Sequence, residues 1–253
     1  MYTVKEFTCK RDGMTIRGRE YIPAGEKLPA VILSHGFGSN KNEFSQCCKA
    51  LAEWGYAAFC FDFCGGCADD GGDSDGTSTE MTVFTERADL CAVMDYVKAN
   101  PNIDKNRLFL LGASQGGFVS ALTAAFRPCE VAGLILFFPA LCIPDDARRG
   151  GLANASYDIK HVPEVIDCGR MKISRRFHEE VVDMDPMEEI RKYPGRVIIF
   201  HGTADGIVNY KYSEAAREAY GEKRCKLLLL EGAGHGFTEG ETKKVLEEIK
   251  KFL

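Results

Sequence analysis

The stretch that most constrains the fold covers residues 112–117, Gly-Ala-Ser-Gln-Gly-Gly. A short apolar run, residues 108–111, precedes it, and an alanine-rich run, residues 120–126, follows it. This order predicts a strand, a sharp turn and a helix. Gly112 and Gly116 would let the strand and helix pass closely, with the serine held at the apex in a strained conformation. Ser114 is therefore the candidate nucleophile.

Apolar runs of strand length alternate with helix-like runs along most of the chain. Two β-prone runs on either side of Asp12-Gly13, a strong turn dipeptide, predict an N-terminal hairpin. Apolar residues at 44, 47, 48 and 51 would share one face of a helix. The alternation predicts an α/β fold, with a mostly parallel central sheet covered by helices on both faces. Predicted strands after the hairpin cover residues 29–35, 56–62, 108–111, 131–138, 195–201 and 225–230.

The regular pattern breaks at Pro139, directly after the sixth predicted strand. From there the chain alternates charged clusters with short apolar pieces until regularity returns near residue 190. A stretch of about fifty residues is too long for a plain connection in a compact α/β domain. We therefore predict a core formed by residues 1–138 and 190–253, with an inserted cap or lid at residues 139–189.

Composition excludes several classes of protein. The chain has 253 residues, 45% hydrophobic and 27% charged, which is ordinary for one large globular domain. Its net charge of −5 provides no basic stripe for nucleic acid. The sequence contains no apolar stretch of about 18 residues, and its charged first residues are not followed by an apolar run. We expect a cytoplasmic protein that binds neither nucleic acid nor membrane.

The eleven cysteines are scattered through apolar segments and one loop, which is typical of a reducing compartment. Cys64 and Cys67 have a spacing that also occurs in metal and redox sites. However, the sequence has no second pair at zinc spacing, and this pair lies in a loop rich in glycine and aspartate, residues 63–78. We therefore expect free thiols, with no metal and no cofactor.

Acyl transfer requires a base beside the serine and an acid that orients this base. His235 lies between glycines in a loop after the last predicted strand and suits the base, since imidazole is the usual general base of proteins. Asp205 lies in the loop after the preceding strand and suits the acid. Each has a structural alternative, since His235 could be a solvated turn residue and Asp205 a helix cap. The order Ser114, Asp205, His235, with each residue after a predicted strand, favours the catalytic interpretation.

The other four histidines have simpler interpretations. His35 and His201 adjoin glycines at strand ends and are predicted to be structural turn residues. His161 and His178 lie in the insertion and are predicted to be solvated.

The tetrahedral oxyanion of acyl transfer requires N–H donors. One donor is predicted at Gln115, directly after the serine, where the helix N-terminus faces the developing charge. The other is predicted at Phe37, in the glycine-flanked loop after an early strand. Because Phe37 would act through its backbone, its side chain is weakly constrained.

Four motifs together resemble those of known enzymes. They lie at residues 35–38, 112–117, 201–205 and 234–237, with a Gly/Asp loop at 72–76. Over nearly its whole length the chain resembles α/β-hydrolases of the bacterial cinnamoyl or feruloyl esterase type. It is similar, less closely, to serine aminopeptidase-like enzymes and general carboxylesterases.

This resemblance implies an α/β-hydrolase fold whose lid, inserted after the sixth strand, helps to hold an aromatic acyl group. In the resembled esterases an acidic residue of the lid reaches the phenolic hydroxyl of that group. Asp145 or Asp146 would take this role here. The lid departs from the family in its many charges, and Lys172 and Ile173 stand roughly where an aromatic residue would be expected beside that acid.

The sequence thus predicts a serine carboxylesterase that acts on small-molecule esters through an acyl-enzyme, with hydroxycinnamate esters as the first expectation. A serine aminopeptidase-like enzyme or a thioesterase on the same triad is the main alternative. A non-catalytic binding module is a further one, although such modules usually lose a triad residue. The fold class also allows a homodimer.

Overall fold

The structure is a computed structural model that describes residues 1–69 and 71–253; Asp70, in the predicted 63–78 loop, lies outside the described residues. The chain begins with an antiparallel hairpin of β1 (Tyr2–Arg11) and β2 (Met14–Pro23). Asp12 and Gly13 join these strands with φ values of 49° and 85°. A two-residue hairpin turn requires such left-handed values, so the predicted hairpin and turn are confirmed.

The central sheet is mixed and mostly parallel. Its further strands are β3 (Leu28–Ser34), β4 (Ala57–Phe61), β5 (Ile103–Ala113), β6 (Gly133–Phe137), β9 (Arg196–Gly202) and β10 (Cys225–Leu230), while β7 (Val165–Asp167) and β8 (Lys172–Ser174) form a separate hairpin. The order across the sheet is β1-β2-β4-β3-β5-β6-β9-β10. Only β1–β2 and β2–β4 are antiparallel among these neighbours. Because parallel neighbours end at the same edge, the loops after β3, β5, β9 and β10 are brought close together.

Helices cover both faces of this sheet. They are α1 (Ser45–Glu53), α2 (Val83–Ala99), α3 (Ser114–Phe126), α4 (Ile143–Arg149), α5 (Arg175–Val181), α6 (Pro186–Ile190), α7 (Lys211–Tyr220) and α8 (Glu239–Phe252). Strand β3 directs Ile32 into the apolar cluster under α2, α3 and α7, and directs Val31 and Leu33 into the cluster under α1 and α8. Within the described part of the chain, no helix combines the length and apolar content of a membrane span.

Two local predictions can be compared directly with the structure. The residues at 44, 47, 48 and 51 are all buried, as the helical pattern predicts. Strand β5 starts at Ile103, well before the predicted start at residue 108. Ile103 pairs with Leu28 of β3, and after a register shift the pairing continues at Leu108 opposite Ala30. The intervening residues 104–107 have polar, partly or fully exposed side chains. Such a segment carries no apolar signal, which explains the missed residues.

The segment 139–189 contains α4, the β7–β8 hairpin, α5 and the start of α6. Ile143, Leu152, Ile173 and Phe177 from this segment pack into the same apolar cluster as α2 and α3. Helix α6 runs across residue 189, so the chain has no irregular linker at that position. The division into core and cap therefore stays a prediction.

The two histidines of this segment differ. The His161 side chain is 84% exposed, as predicted. His178 is only 6% exposed, so its prediction as solvated is wrong. It lies on the buried face of α5, where its Nδ1 is 2.9 Å from the hydroxyl of Tyr157.

Candidate active site

Ser114 lies at the junction of β5 and α3 with a φ of 52°, a left-handed value that is strained for a residue other than glycine. A Cβ at Gly112 would overlap the Gly116 carbonyl, and a Cβ at Gly116 would overlap the carbonyl oxygens of Ser34 and His35. These glycines therefore let the strand, the turn and β3 pack together, as the sequence predicts. The turn raises the serine above the sheet edge.

Ser114, Asp205 and His235 are connected by hydrogen bonds. The Oγ of Ser114 lies 3.0 Å from Nε2 of His235, and Nδ1 of His235 lies 2.8 Å from Oδ2 of Asp205. A carboxylate at Nδ1 favours the tautomer with the proton on that nitrogen, which leaves Nε2 free to accept from the serine. The Asp205 side chain is fully buried. The arrangement can move a proton from serine to imidazole.

Backbone donors hold the carboxylate of Asp205 in place. Its Oδ1 accepts N–H groups from Ile207 at 2.8 Å and Val208 at 2.9 Å. Only Oδ2 is therefore directed at His235. This division of the two oxygens fixes the orientation of the imidazole.

Two neighbours of this triad were not identified from the sequence. The ring of Phe138, which follows β6 with a φ of 36°, lies 4.5 Å from the ring of His235. His201 lies within β9, fully buried, with Nε2 2.9 Å from the Val208 carbonyl and 3.3 Å from Oδ2 of Asp205. Burial lowers the pKa of His201. His201 is structural, as predicted, but the prediction that it lies in a turn is wrong, since it lies within β9 beneath the triad.

The two predicted oxyanion donors both line the cavity next to Ser114. The N–H of Gln115 belongs to the first turn of α3, so it has no acceptor within the helix. Phe37 follows Gly36, at which a Cβ would lie 3.2 Å from the Cβ of Ser114. The loop after β3 therefore borders the serine, and the donor role of both residues stays a prediction.

A buried carboxyl group holds the side chain of Gln115. Its Nε2 donates to Oε2 of Glu86 at 2.8 Å, and Glu86 is 2% exposed. Burial raises the pKa of Glu86 well above its usual range, and the nearby Asp89 raises it further. The sequence contained a signal for this residue, because Glu86 shares the apolar stripe of α2 with Val83, Leu90 and Val97.

The stability of the protein should depend on pH through Glu86. At pH values between the ordinary glutamate pKa and the raised one, the folded state keeps a proton that the unfolded state has lost, so stability falls as pH rises. Glu86→Gln removes this titration and can still accept from Gln115. We expect the free energy of unfolding of Glu86→Gln minus that of wild type to rise between pH 5 and pH 8. The rise should be at most about 1.4 kcal/mol per pH unit.

Urea unfolding of both proteins at the two pH values measures this difference. Glu247→Gln, an exposed position on α8, is the matched control and should show the same difference from wild type at both pH values. A pH-independent difference for Glu86→Gln would mean that Glu86 is ionised in the fold.

The triad opens into a cavity of roughly 400 Å³. Residues after β3, β5 and β10 form one side, and the opposite wall comes from the 139–189 segment through Ile143, Asp146, Leu152, Ile173 and Phe177. This volume is within the range of small-molecule sites, and the wall is mostly apolar. The cavity can hold a small or medium organic molecule against Ser114.

The structure separates the two aspartates that the sequence left as alternatives. Asp146 lines the cavity, with its Oδ1 2.5 Å from Arg149. Asp145 is not part of the lining. It accepts hydrogen bonds from Tyr212 and Arg148, each at 2.6 Å, and the Tyr212 hydroxyl lowers the pKa of its carboxyl. Of the two, Asp146 is the one that lines the cavity.

The described residues include one group with the ligand types of a metal site: His35, Asp62 and Cys67. Nε2 of His35 already accepts from the Phe63 N–H at 3.1 Å. Both oxygens of Asp62 accept from Lys41, through its backbone N–H at 2.7 Å and its ammonium at 2.6 Å. Burial raises the pKa of the Cys67 thiol. Lys41 thus already pairs with Asp62, and the group fits a metal poorly.

A family model described as serine aminopeptidase S33, an α/β-hydrolase family, matches residues 25–164. The chain belongs to this family. It is an α/β-hydrolase, as the sequence predicts.

Its relatives include esterases and a lipase. A solved structure of Est1E from Butyrivibrio proteoclasticus with ferulic acid bound has a TM-score of 0.88 and 28% identity, covering 97% of each chain. Caffeoylshikimate esterase from Arabidopsis thaliana is 29% identical over 92% of this chain and 79% of its own length. Monoglyceride lipase from Homo sapiens is 31% identical over 54% of this chain and only 43% of the lipase. The chain is thus a hydrolase that resembles feruloyl esterases.

Proposed function

We propose that this hydrolase is a serine carboxylesterase acting on small-molecule esters, with hydroxycinnamate esters as its substrate class. The observation that carries the proposal is the hydrogen-bonded series from Ser114 Oγ through His235 to Asp205 at the base of a mostly apolar cavity. The similarity to a protein with ferulic acid bound and to a caffeoylshikimate esterase supports the acyl group.

In the proposed reaction, Nε2 of His235 takes the proton of Ser114 while Oγ attacks the ester carbonyl. The resulting oxyanion accepts hydrogen bonds from the N–H groups of Phe37 and Gln115. When the tetrahedral intermediate collapses, the imidazolium gives its proton to the leaving alcohol, and an acyl-enzyme remains. Water, deprotonated by the same imidazole, then attacks the acyl carbonyl, which releases the acid and restores the serine.

Asp146 is proposed to bind the phenolic hydroxyl of the acyl group. A hydrogen bond from a hydroxyl to a carboxylate contributes about 1.5–3 kcal/mol, which is roughly 10- to 100-fold. Wild type should therefore favour methyl ferulate over methyl cinnamate, which lacks the hydroxyl. Asp146→Asn should reduce this preference, measured as the ratio of kcat/KM values, by about tenfold or more.

Asp145→Asn is the matched control from the same helical turn, and it should retain the ratio. The hydroxycinnamate assignment is wrong if wild type hydrolyses p-nitrophenyl butyrate well but neither aromatic ester. If both aspartate variants keep the wild-type ratio, Asp146 does not bind the phenolic hydroxyl.

A second candidate is hydrolysis of aminoacyl substrates on the same triad. Two carboxylates, Glu43 and Asp146, line the cavity and could hold a free amine. The description of the matching family also names serine aminopeptidases. Turnover of aminoacyl anilides above that of neutral esters would favour this candidate. An acyl-CoA in the same series tests thioesterase activity. Cytoplasmic location and a homodimer stay predictions.

A further inference from the structure

The charges that line the cavity are of one sign. Glu43 and Asp146 line it, whereas no lysine or arginine of the described residues does. Asp146 is paired with Arg149 at 2.5 Å, so its charge is largely balanced. Within residues 1–69 and 71–253, the carboxylate of Glu43 has no cationic nitrogen within 4.0 Å. Glu43 is thus the charge in the cavity that no side chain neutralises.

Glu43 also lies close to the reacting serine. It belongs to the 3₁₀ turn Lys41–Phe44 that follows β3. Its Oε2 is 3.4 Å from the N–H of Gly36, and a Cβ on Gly36 would lie 3.2 Å from the Cβ of Ser114. The 3.4 Å distance makes this a weak hydrogen bond. Glu43 therefore retains acceptor capacity towards a bound molecule.

We propose that Glu43 selects substrates by charge, so that the cavity takes esters of neutral or cationic alcohols and disfavours esters that carry a carboxylate. This inference rests on the proposed esterase function. Glu43 lines the cavity but is itself exposed, so a substrate carboxylate would meet its negative charge where the cavity opens to solvent and where water and salt screen the repulsion in part. A hydroxyl of a neutral alcohol can instead donate to Glu43, which a carboxylate cannot do.

Three butanoyl esters with different alcohols test this inference: the glycolamide ester, the glycolate ester and the choline ester. The first two have nearly the same shape and differ by one negative charge, while the choline ester carries a positive charge. The butanoyl group has no phenolic hydroxyl, so the comparison is separate from the proposed role of Asp146. The readout is the ratio of kcat/KM for the glycolamide ester to that for the glycolate ester, in wild type and in Glu43→Gln.

We expect wild type to favour the glycolamide ester and Glu43→Gln to reduce this preference by about fivefold, the size of the repulsion between two water-screened charges about 4 Å apart. Comparing the two proteins cancels the intrinsic reactivities of the esters. Added NaCl should narrow the wild-type ratio, because salt screens the repulsion. The choline ester should lose kcat/KM in Glu43→Gln. Glu247→Gln, which changes the same charge on the exposed side of α8, should keep the wild-type ratio.

An identical ratio in wild type and Glu43→Gln, or a wild-type preference for the glycolate ester, would overturn the charge selection while leaving the esterase proposal intact. If wild type hydrolyses methyl ferulate but none of the three esters, the same ratio is measured with the glycolamide and glycolate esters of ferulic acid. If it hydrolyses no ester of either acid, the esterase proposal itself is overturned.

Discussion

Ser114→Ala is expected to reduce kcat by about 10⁶ on every substrate that the wild type hydrolyses, the loss measured when a triad serine is removed. The reason is that the acyl-enzyme route requires an oxygen nucleophile at this position, and His235 then has no hydroxyl to deprotonate. The fold should persist, since alanine, like serine, is a small residue with a Cβ at the same left-handed backbone position. Initial rates with p-nitrophenyl butyrate, together with thermal unfolding, measure both effects.

Ser120→Ala is the matched control. Ser120 lies on the same helix, fully buried, and its hydroxyl has no hydrogen-bond partner among the described residues. Removing this hydroxyl should leave kcat within a small factor of wild type. Wild-type rates in Ser114→Ala would overturn the entire mechanism, because the cavity would then hydrolyse esters without the triad.

Asp205→Asn is expected to reduce kcat by about 10⁴ while leaving the fold intact. Oδ1 of Asp205 accepts two backbone N–H groups, so the amide oxygen of asparagine should stay at that position. Its NH₂ group would then face Nδ1 of His235. An NH₂ donor at Nδ1 requires the tautomer with the proton on Nε2, and that nitrogen can no longer accept from Ser114.

The pH profile of kcat and the rate of the double variant test this explanation. Because the three side chains act as a unit, Ser114→Ala combined with Asp205→Asn should be no slower than Ser114→Ala alone. Asp12→Asn, in the exposed hairpin turn, controls for the loss of one carboxylate. If Asp205→Asn stays within tenfold of wild type, some other group orients the imidazole.

Sequence reasoning worked best where one short segment carries all the information. The turn around Ser114 could be predicted because Gly112 and Gly116 flank the serine between a strand and a helix, and its φ of 52° agrees. The hairpin turn at Asp12-Gly13 is a similar case. Chain order also brought Asp205 and His235 to the same sheet edge, because parallel strands end together.

The environment of individual side chains could not be predicted in this way. Asp145 and Asp146 are neighbours in sequence, but successive residues of a helix point about 100° apart. The packing of α4 places the carboxylate of Asp145 at the hydroxyl of Tyr212 and places Asp146 on the cavity wall. The burial of His178 could not be predicted either, because its contact with Tyr157, 21 residues away in the sequence, exists only in the folded chain.

The sequence by itself determined the α/β-hydrolase fold, the strained serine and the order of the three candidate catalytic residues. These features depend on local backbone preferences and on the alternation of apolar segments, and both can be read from the amino-acid sequence. The tertiary structure decided that Glu86 holds Gln115, that His201 lies beneath Asp205 and that Glu43 faces the cavity without a cation. Such contacts join residues from different elements, so their distances are set only when those elements pack against each other.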